Sequence, residues 1–464
     1  MPQTKRFPDS LTIIMAIMFL FWGLTWIIPA GSFQRETFGS KQVVVPGSFE
    51  YLDESQGQNL MEFLTTPIRG MQGASDIIAF VLLIGGVFAI INRTGAIDAG
   101  LQSVVRYTQK HPARRQLILP LLITLFSLAG ATFGMAEEVL VFIMITIPMA
   151  QSLGYDRIVG IAIPFIGAGA GFAGAFLNPF TVGIAQGIAG VSPGSGTGYR
   201  LICWGVFTLV AIIFIMRYAN KVHQDPSVSI LSDVGEDAVG AFNMPEALDF
   251  TSIRALILIL FGGSIGLLIY GVNVWGWYIN EITGMFFGLG LLVAALARLS
   301  PAITVKAFLS GASDVLTAAL IIGFARALLV LAEDAMIIDT ILNGIATAAD
   351  GFSGVVSVQV MFIFQSFLNF FVPSGSGQAA LTMPVMAPLG DLLGVSRQTT
   401  ILAYQFGDGI SNLIIPTSGI LMGVLEIARI PYNKWFKWVL SLIVILSVIA
   451  MVLLVFPTAV FEWN

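Results

Sequence analysis

Two adjacent glutamates, Glu137 and Glu138, stand in the stretch GATFGMAEEV (130–139), where every other residue is small or apolar. No charge occurs from Leu117 to Gly130 or from Val139 to Ala150. Carboxylates in such surroundings can hold a cation, a proton or an amine. A second stretch, Pro373-Ser374-Gly375-Ser376-Gly377-Gln378, offers the opposite chemistry. Its backbone N–H groups are bare and two hydroxyls accompany them, which at a helix start suits a carboxylate. Two proline-broken runs supply a third kind of group. Leu177-Asn178-Pro179-Phe180-Thr181 and Ile415-Pro416-Thr417-Ser418-Gly419 each free a carbonyl one turn before the proline. Such carbonyls beside hydroxyls are ligands for a hard cation, so Na⁺ is expected near Asn178, Thr181, Asn412 and Thr417. Asp408 and Arg326 are further charges inside apolar runs. An intramembrane arginine costs about 3 kcal/mol on insertion scales, so Arg326 needs an acid or a substrate carboxylate as partner.

These groups must be positioned by membrane-spanning helices. Of the 464 residues, 56% are hydrophobic and 11% charged, with a mean hydropathy of +0.88; soluble domains carry roughly 25% charged residues. A bilayer leaves no water to satisfy free backbone groups, so repeated apolar runs of about 20 residues imply helices. The runs fall near 11–30, 76–93, 117–155, 158–190, 201–219, 253–273, 276–297, 308–332, 353–395, 398–428 and 436–457. The first, Leu11–Pro29, follows Lys5 and Arg6 and reads as a retained helix that also targets the chain. Runs 117–155 and 353–395 are too long for one crossing and too short for two with a loop. Each reads as a re-entrant hairpin, with its tip before a helix that begins near residue 137 or 377. The runs 158–190 and 398–428 read as broken helices. The expected fold is an all-α integral membrane protein of about nine full transmembrane helices plus two re-entrant hairpins.

The two halves are related. PMAQSLGYDR (148–157) and PLGDLLGVSR (388–397) share Pro, Leu, Gly and Arg at one spacing of 240 positions, which continues through Ile161, Gly167 and Gly169 against Ile401, Gly407 and Gly409. The same register sets GMAEE (134–138) against SGSGQ (374–378), so Glu138 meets Gln378, and Asp408 meets Ala168. Positive residues orient the chain. Lys5, Arg6, Arg93, Arg106, Lys110, Arg114, Arg115, Arg217, Lys221, Arg298, Lys306, Arg429, Lys434 and Lys437 all fall on one face if the N-terminus is cytoplasmic. The acidic loop 31–75 (Glu36, Glu50, Asp53, Glu54, Glu62) and the C-terminus are then external. Arg157 becomes cytoplasmic and Arg397 external, so the repeats are inverted, the arrangement of alternating-access transporters. The expected division is an N-terminal repeat over 1–221, a cytoplasmic linker over 222–252 and a C-terminal repeat over 253–464.

Other signals carry less. Gly169-x-Gly171-x-x-Gly174 spells a dinucleotide fingerprint but lies in a helix with no preceding strand, so close helix packing is the reading. His111 and His223 fall in loops, and YNKWFKW (432–438) reads as an interfacial anchor. The single cysteine, Cys203, gives no disulfide framework. No basic cluster points to nucleic acid, no cofactor is implied beyond a coupling Na⁺ or H⁺, and the absence of a Walker motif argues against ATP-driven pumping. A membrane-embedded hydrolase with Ser374 or Ser376 as nucleophile lacks a nearby intramembrane His or Lys. An ion channel fits inverted repeats and hairpins poorly.

VPSGSGQAALTMPVMAPLGDLLGVSRQT (372–399), QFGDGISNLIIPTSG (405–419) and GMAEE (134–138) resemble the DcuC-like C4-dicarboxylate carrier family, in its YfcC-type branch, within the wider ion transporter superfamily. The resemblance covers nearly the whole chain. It implies inverted repeats, opposed re-entrant hairpins, helices unwound at the Asn-Pro-Phe-Thr and Pro-Thr-Ser motifs, a homodimer with elevator-like movement, and a place in the bacterial inner membrane. Members of that family carry dicarboxylate or basic amino-acid labels. The superfamily's Ser-Asn-Thr tip motif is replaced here by GMAEE and SGSGQ, which weighs against a dicarboxylate. Charge matching favours a secondary transporter for an amino acid, including a basic one. One tip suits a carboxylate and the other an amine, whereas a dicarboxylate would meet Glu137, Glu138 and Asp408 with Arg326 alone to offset them. Bound Na⁺ would reverse that balance and favour a C4-dicarboxylate symporter. Na⁺ coupling, H⁺ coupling and exchange all remain open.

Overall fold

A computed structural model describes residues 10–38, 41–45, 47–52, 57–97, 99–100, 103, 106, 112–192, 194–232, 249–349, 353–460 and 463. Lys5, Arg6, Asp53, Glu54, Lys110, His111 and positions 233–248 of the expected linker lie outside them. Among the described residues, Ser75–Arg93, Thr197–Gln224, Ile279–Leu296 and Tyr432–Ala459 are single helices long and apolar enough to cross a bilayer. Pro301–Asp314 and the helix after it form a bent pair, at 43°, that qualifies as one more. The remaining apolar runs are shorter or broken, so the sequence figure of about nine crossings exceeds what single unbroken helices supply. Outward faces stay apolar: Leu117, Leu121, Leu125 and Leu128, and Leu440, Val444, Val448 and Val452, are exposed at helical spacing. In water such stripes would be unfavourable; against lipid they are solvated. The chain is a helical, multi-pass membrane protein.

Both long runs fold as helix–tip–helix. The first is Pro112–Phe133, a tip at 134–138, and Val139–Ser152; the second is Gly354–Leu368, a tip at 369–374, and Gly375–Leu392. The second helices begin within two residues of the expected positions. Each then ends on a glycine in the left-handed region, Gly154 (φ 82°) and Gly394 (φ 69°), which terminates the helix without a Cβ penalty. Two residues later a side chain starts the next helix: Asp156 accepts from Val159 N, and Ser396 accepts from Thr399 N. Those helices, Arg157–Ala173 and Arg397–Ser411, break at 174–178 and 412–418 and resume as Pro179–Gly183 with Ile184–Ile188 and as Gly419–Ile427. The stop, the glycine, the cap and the new start from Ser152 to Arg157 recur 240 positions on, at Leu392, Gly394, Ser396 and Arg397.

The two broken helices cross closely. A Cβ on Gly169 would lie 2.4 Å from Leu413, and one on Gly409 would lie 2.4 Å from Ala173. These contacts exchange into one another under the 240-residue spacing. Gly171 backs onto Ser127 O and Gly174 onto Trp204, so the glycines that spell a nucleotide fingerprint serve packing.

The described residues of 31–75, expected as a loop, include strands and a helix. Gly31–Ser32 pairs antiparallel with Glu50–Tyr51, and Arg35–Phe38 with Lys41–Val44. An Asn59–Glu62 capping box then opens the helix Leu60–Gly73. The all-α expectation therefore needs four short strands added. They are too short and polar to show a hydrophobic period. Tertiary anchors fix them: Asp339 accepts from Phe33 N at 3.0 Å and pairs with Arg35 at 2.8 Å, while Gly31 N donates to Met336 O.

Candidate functional site

The two hairpin tips and the two helix breaks converge on one cavity of about 500 Å³, within the roughly 300–1,000 Å³ of small-ligand sites. Glu137 and Glu138 line it from the first tip; Ser374, Gly375 and Ser376 line it from the second. Thr181 comes from the first break, Asn412, Thr417 and Ser418 from the second, and Arg326 from the helix Leu316–Asp334. Residues separated by more than two hundred positions thus meet because the broken helices cross.

The tips differ chemically. At the first, Val139 N, Leu140 N and Val141 N bond to the carbonyls of Ala136, Glu137 and Glu138, so its helix start is spent on the turn itself. Glu138 is buried and its Oε2 accepts from Ala136 N at 3.1 Å, bracing the tip. Glu137 is less enclosed, and among the described residues no other residue donates to it. At the second tip, Gly375 and Ser376 are the first helical residues, whose N–H groups have no intrahelical acceptor. Ser374 Oγ caps the helix by accepting from Gly377 N at 3.3 Å. The cavity has an anionic end and an N–H end.

Glycine makes both tips fit. Gly134 has φ 74°, and a Cβ there would meet Asn178 Oδ1 at 2.6 Å. A Cβ on Gly375 would meet Thr181 Cγ2 at 2.6 Å and Asp408 Oδ2 at 2.8 Å. Behind the tips, several buried atoms have no partner among the described residues: Asn178 Nδ2, Thr181 Oγ1, Asp408 Oδ2 and Thr417 Oγ1. Orphaned buried polar atoms carry a desolvation cost of about 1–3 kcal/mol each, which a bound ion or water relieves. Of the four residues expected around Na⁺, Thr181 and Thr417 offer free hydroxyl oxygens. Asn178 Oδ1 is occupied by Phe180 N, whereas Asn412 uses its Nδ2, donating to Asp408 Oδ1 at 2.8 Å, and among the described residues nothing donates to its Oδ1. The donor set open to a hard cation is the two threonine hydroxyls, Asp408 and the side-chain oxygen of Asn412, with Asn178 the one expected residue whose oxygen is taken.

Five expected residues do not line the cavity. Gln378 turns into its own hairpin, donating to Gln365 O and Oε1 at 2.9 and 2.7 Å. Gly377 faces a neighbouring cavity. Asn178 and Asp408 sit behind the tips, and Pro179 opens the resumed segment after the first break. Arg326 makes no ion pair among the described residues, and its Nε is buried without an acceptor; a Cβ on Gly73 would lie 3.2 Å from that Nε. Sequence reasoning missed Tyr278, which lines the cavity and packs on Phe180 with ring centroids 5.4 Å apart. It also missed Tyr404, whose OH donates to Gly375 O at 2.6 Å. Both are placed by the fold.

The C4-dicarboxylate anaerobic carrier family matches residues 7–459. An Escherichia coli K12 protein, YfcC, provisionally described as a basic amino acid antiporter, is 39% identical over 97% of this chain and 97% of its own. An uncharacterised Haemophilus influenzae protein is 30% identical over 99% of this chain and 98% of its own. Two solved proteins align more loosely, at 17% identity and a TM-score of 0.43. They are the YdaH transporter of Alcanivorax borkumensis, over 96% of this chain and 98% of its own, and Neisseria gonorrhoeae MtrF, of a class of antimetabolite efflux pumps, over 99% and 97%. By its match over nearly the whole length, this chain is a transporter that belongs to the C4-dicarboxylate anaerobic carrier family.

Proposed function

We propose that the chain is a secondary transporter for an amino acid, with a basic amino acid as the first candidate, working by alternating access of the elevator type. The observation that carries this reading is the polarity of the cavity. Two carboxylates stand at one tip and free N–H groups with hydroxyls at the other, complementary to the amine and carboxylate of one zwitterion. The description given to the Escherichia coli relative points the same way. In this reading the chain comprises two inverted repeats, 1–221 and 253–464, joined by a cytoplasmic linker over 222–252. About nine crossings and two re-entrant hairpins place the N-terminus in the cytoplasm and the C-terminus outside a bacterial inner membrane. The reciprocal contacts of Gly169 with Leu413 and Gly409 with Ala173 support the repeat. The chain works as a homodimer. Coupling is to Na⁺, through Thr181, Thr417 and Asp408, to H⁺ through the glutamates, or to exchange.

A second reading, a cation-coupled C4-dicarboxylate carrier, is favoured by the unpaired Arg326 and by the family's name. Thermal melting of the purified protein separates the two, because a ligand that binds the folded state alone raises its stability. Amino acids should raise the midpoint and dicarboxylates should not, with and without Na⁺. Stabilisation by dicarboxylates alone would replace the first reading with the second.

A further inference from the structure

A second cavity, of about 560 Å³, lies on the other side of the Ser374–Gly377 tip. It shares Arg326, Ser374 and Ser376 with the central cavity, so the tip forms a wall between the two. Four charged groups border this vestibule: Arg35, Asp339, Arg326 and Glu333. Arg35 and Asp339 neutralise each other through two contacts of 2.8 Å. Arg326 and Glu333 feel each other's charge without touching. Among the described residues neither makes an ion pair, although both face one cavity.

Their spacing explains why. Both lie on the helix Leu316–Asp334, seven residues apart, which is two turns and about 10.5 Å along one face. Direct pairing on a helix needs a spacing of three or four residues. Between them the wall is apolar, at Leu329 and Ala332. The vestibule therefore presents a cationic end, an oily strip and an anionic end. An extended dibasic amino acid has the matching order: carboxylate, methylenes, side-chain cation. A neutral amino acid would place no cation against Glu333, which otherwise has Arg326 and Arg69 only at a distance, and a dicarboxylate would set like charges together.

We propose that the vestibule is a separate binding site for a dibasic amino acid, distinct from the central cavity. The carboxylate lies on Arg326 and Ser376, the methylenes on Leu329, and the side-chain cation on Glu333. Because Arg326 and Ser376 also face the central cavity, the ligand held here is poised to pass the tip carboxylate first. This inference rests on the amino-acid reading of the central cavity.

The test is protection of an introduced thiol. Ser32 borders the vestibule and not the central cavity, and the native Cys203 is buried. In Ser32→Cys, L-lysine should slow modification by the uncharged methyl methanethiosulfonate about tenfold, while norleucine, which lacks the side-chain amine, should not. Adding Glu333→Gln should remove the protection, Glu333→Asp should keep it, and Glu137→Gln, in the central cavity, should leave it intact. Each variant is checked for an unchanged melting midpoint. Protection that is absent, that survives Glu333→Gln or that disappears in Glu137→Gln overturns the vestibule site. Lysine uptake into proteoliposomes is measured in parallel. Uptake without protection sinks the vestibule alone, whereas no uptake and no stabilisation by any amino acid sinks both proposals.

Discussion

Arg157 and Arg397 stand 240 positions apart, and each donates to the end of the other half's broken helix. Arg157 Nη1 meets Ala428 O at 2.7 Å, and Arg397 Nη1 meets Ala189 O at 2.6 Å. Ala428 and Ala189 are the C-caps of Gly419–Ile427 and Ile184–Ile188, where a cation also complements the helix dipole. The short half-helices beyond the breaks are thus held from across the molecule.

That reciprocity gives a crossed prediction. Arg157→Ala should speed amide exchange near 424–428, and Arg397→Ala near 185–189, each in the opposite half from the substitution. A hydrogen bond to a charged group contributes about 1.5–3 kcal/mol, so exchange should rise roughly tenfold or more where local opening limits it. Hydrogen-exchange mass spectrometry reads both. A rise confined to the substituted half would contradict the clamp.

The glutamates are expected to differ. Glu137→Gln should lower amino-acid uptake about a hundredfold, since its carboxylate is turned to the cavity with no donor from another residue. Glu138→Gln should cost less, because one of its oxygens already serves Ala136 N and an amide oxygen can replace it. Initial uptake rates in proteoliposomes decide the order; a larger loss in Glu138→Gln would reverse the assignment.

Glycine at the second tip is a steric requirement. Gly375→Ala places a methyl into Thr181 and Asp408 and should weaken substrate binding at least tenfold, at a stability cost of about 1–3 kcal/mol. Gly394→Ala is the control. It has φ 69° and open space around it, so it should cost about 1–2 kcal/mol through backbone strain alone and leave affinity unchanged. Equal affinity loss in both would show that general destabilisation is responsible.

Asp408 is buried with one carboxylate oxygen unpartnered. Asp408→Asn removes an uncompensated charge and should raise the melting midpoint by a few degrees, as relief of a buried charge predicts. The same variant should lose the effect of Na⁺ on ligand-induced stabilisation. Retained Na⁺ dependence would exclude Asp408 from the coupling site.

Orientation is testable through the linker. A labelling tag at residue 235 should be inaccessible to impermeant reagent in intact cells and accessible after permeabilisation. Labelling of intact cells would invert the topology.

Composition alone determined a helical membrane protein, because apolar runs of that length have no other solution in a bilayer. Pro179 and Pro416 marked where helices must break, since proline constrains the backbone locally. Glu137, Glu138 and Ser374–Gly377 were legible because charge or bare backbone in an oily run is conspicuous. Tertiary structure decided the rest. It turned Gln378 inward onto Gln365, tied one oxygen of Glu138 to its own tip, and brought Tyr278 to the cavity. It also folded 31–32, 35–38, 41–44 and 50–51 into strands, with Asp339 as an anchor, and left Arg326 facing two cavities. Each of these depends on which distant side chain occupies the adjoining space, and helix crossing sets that at a range no local pattern records.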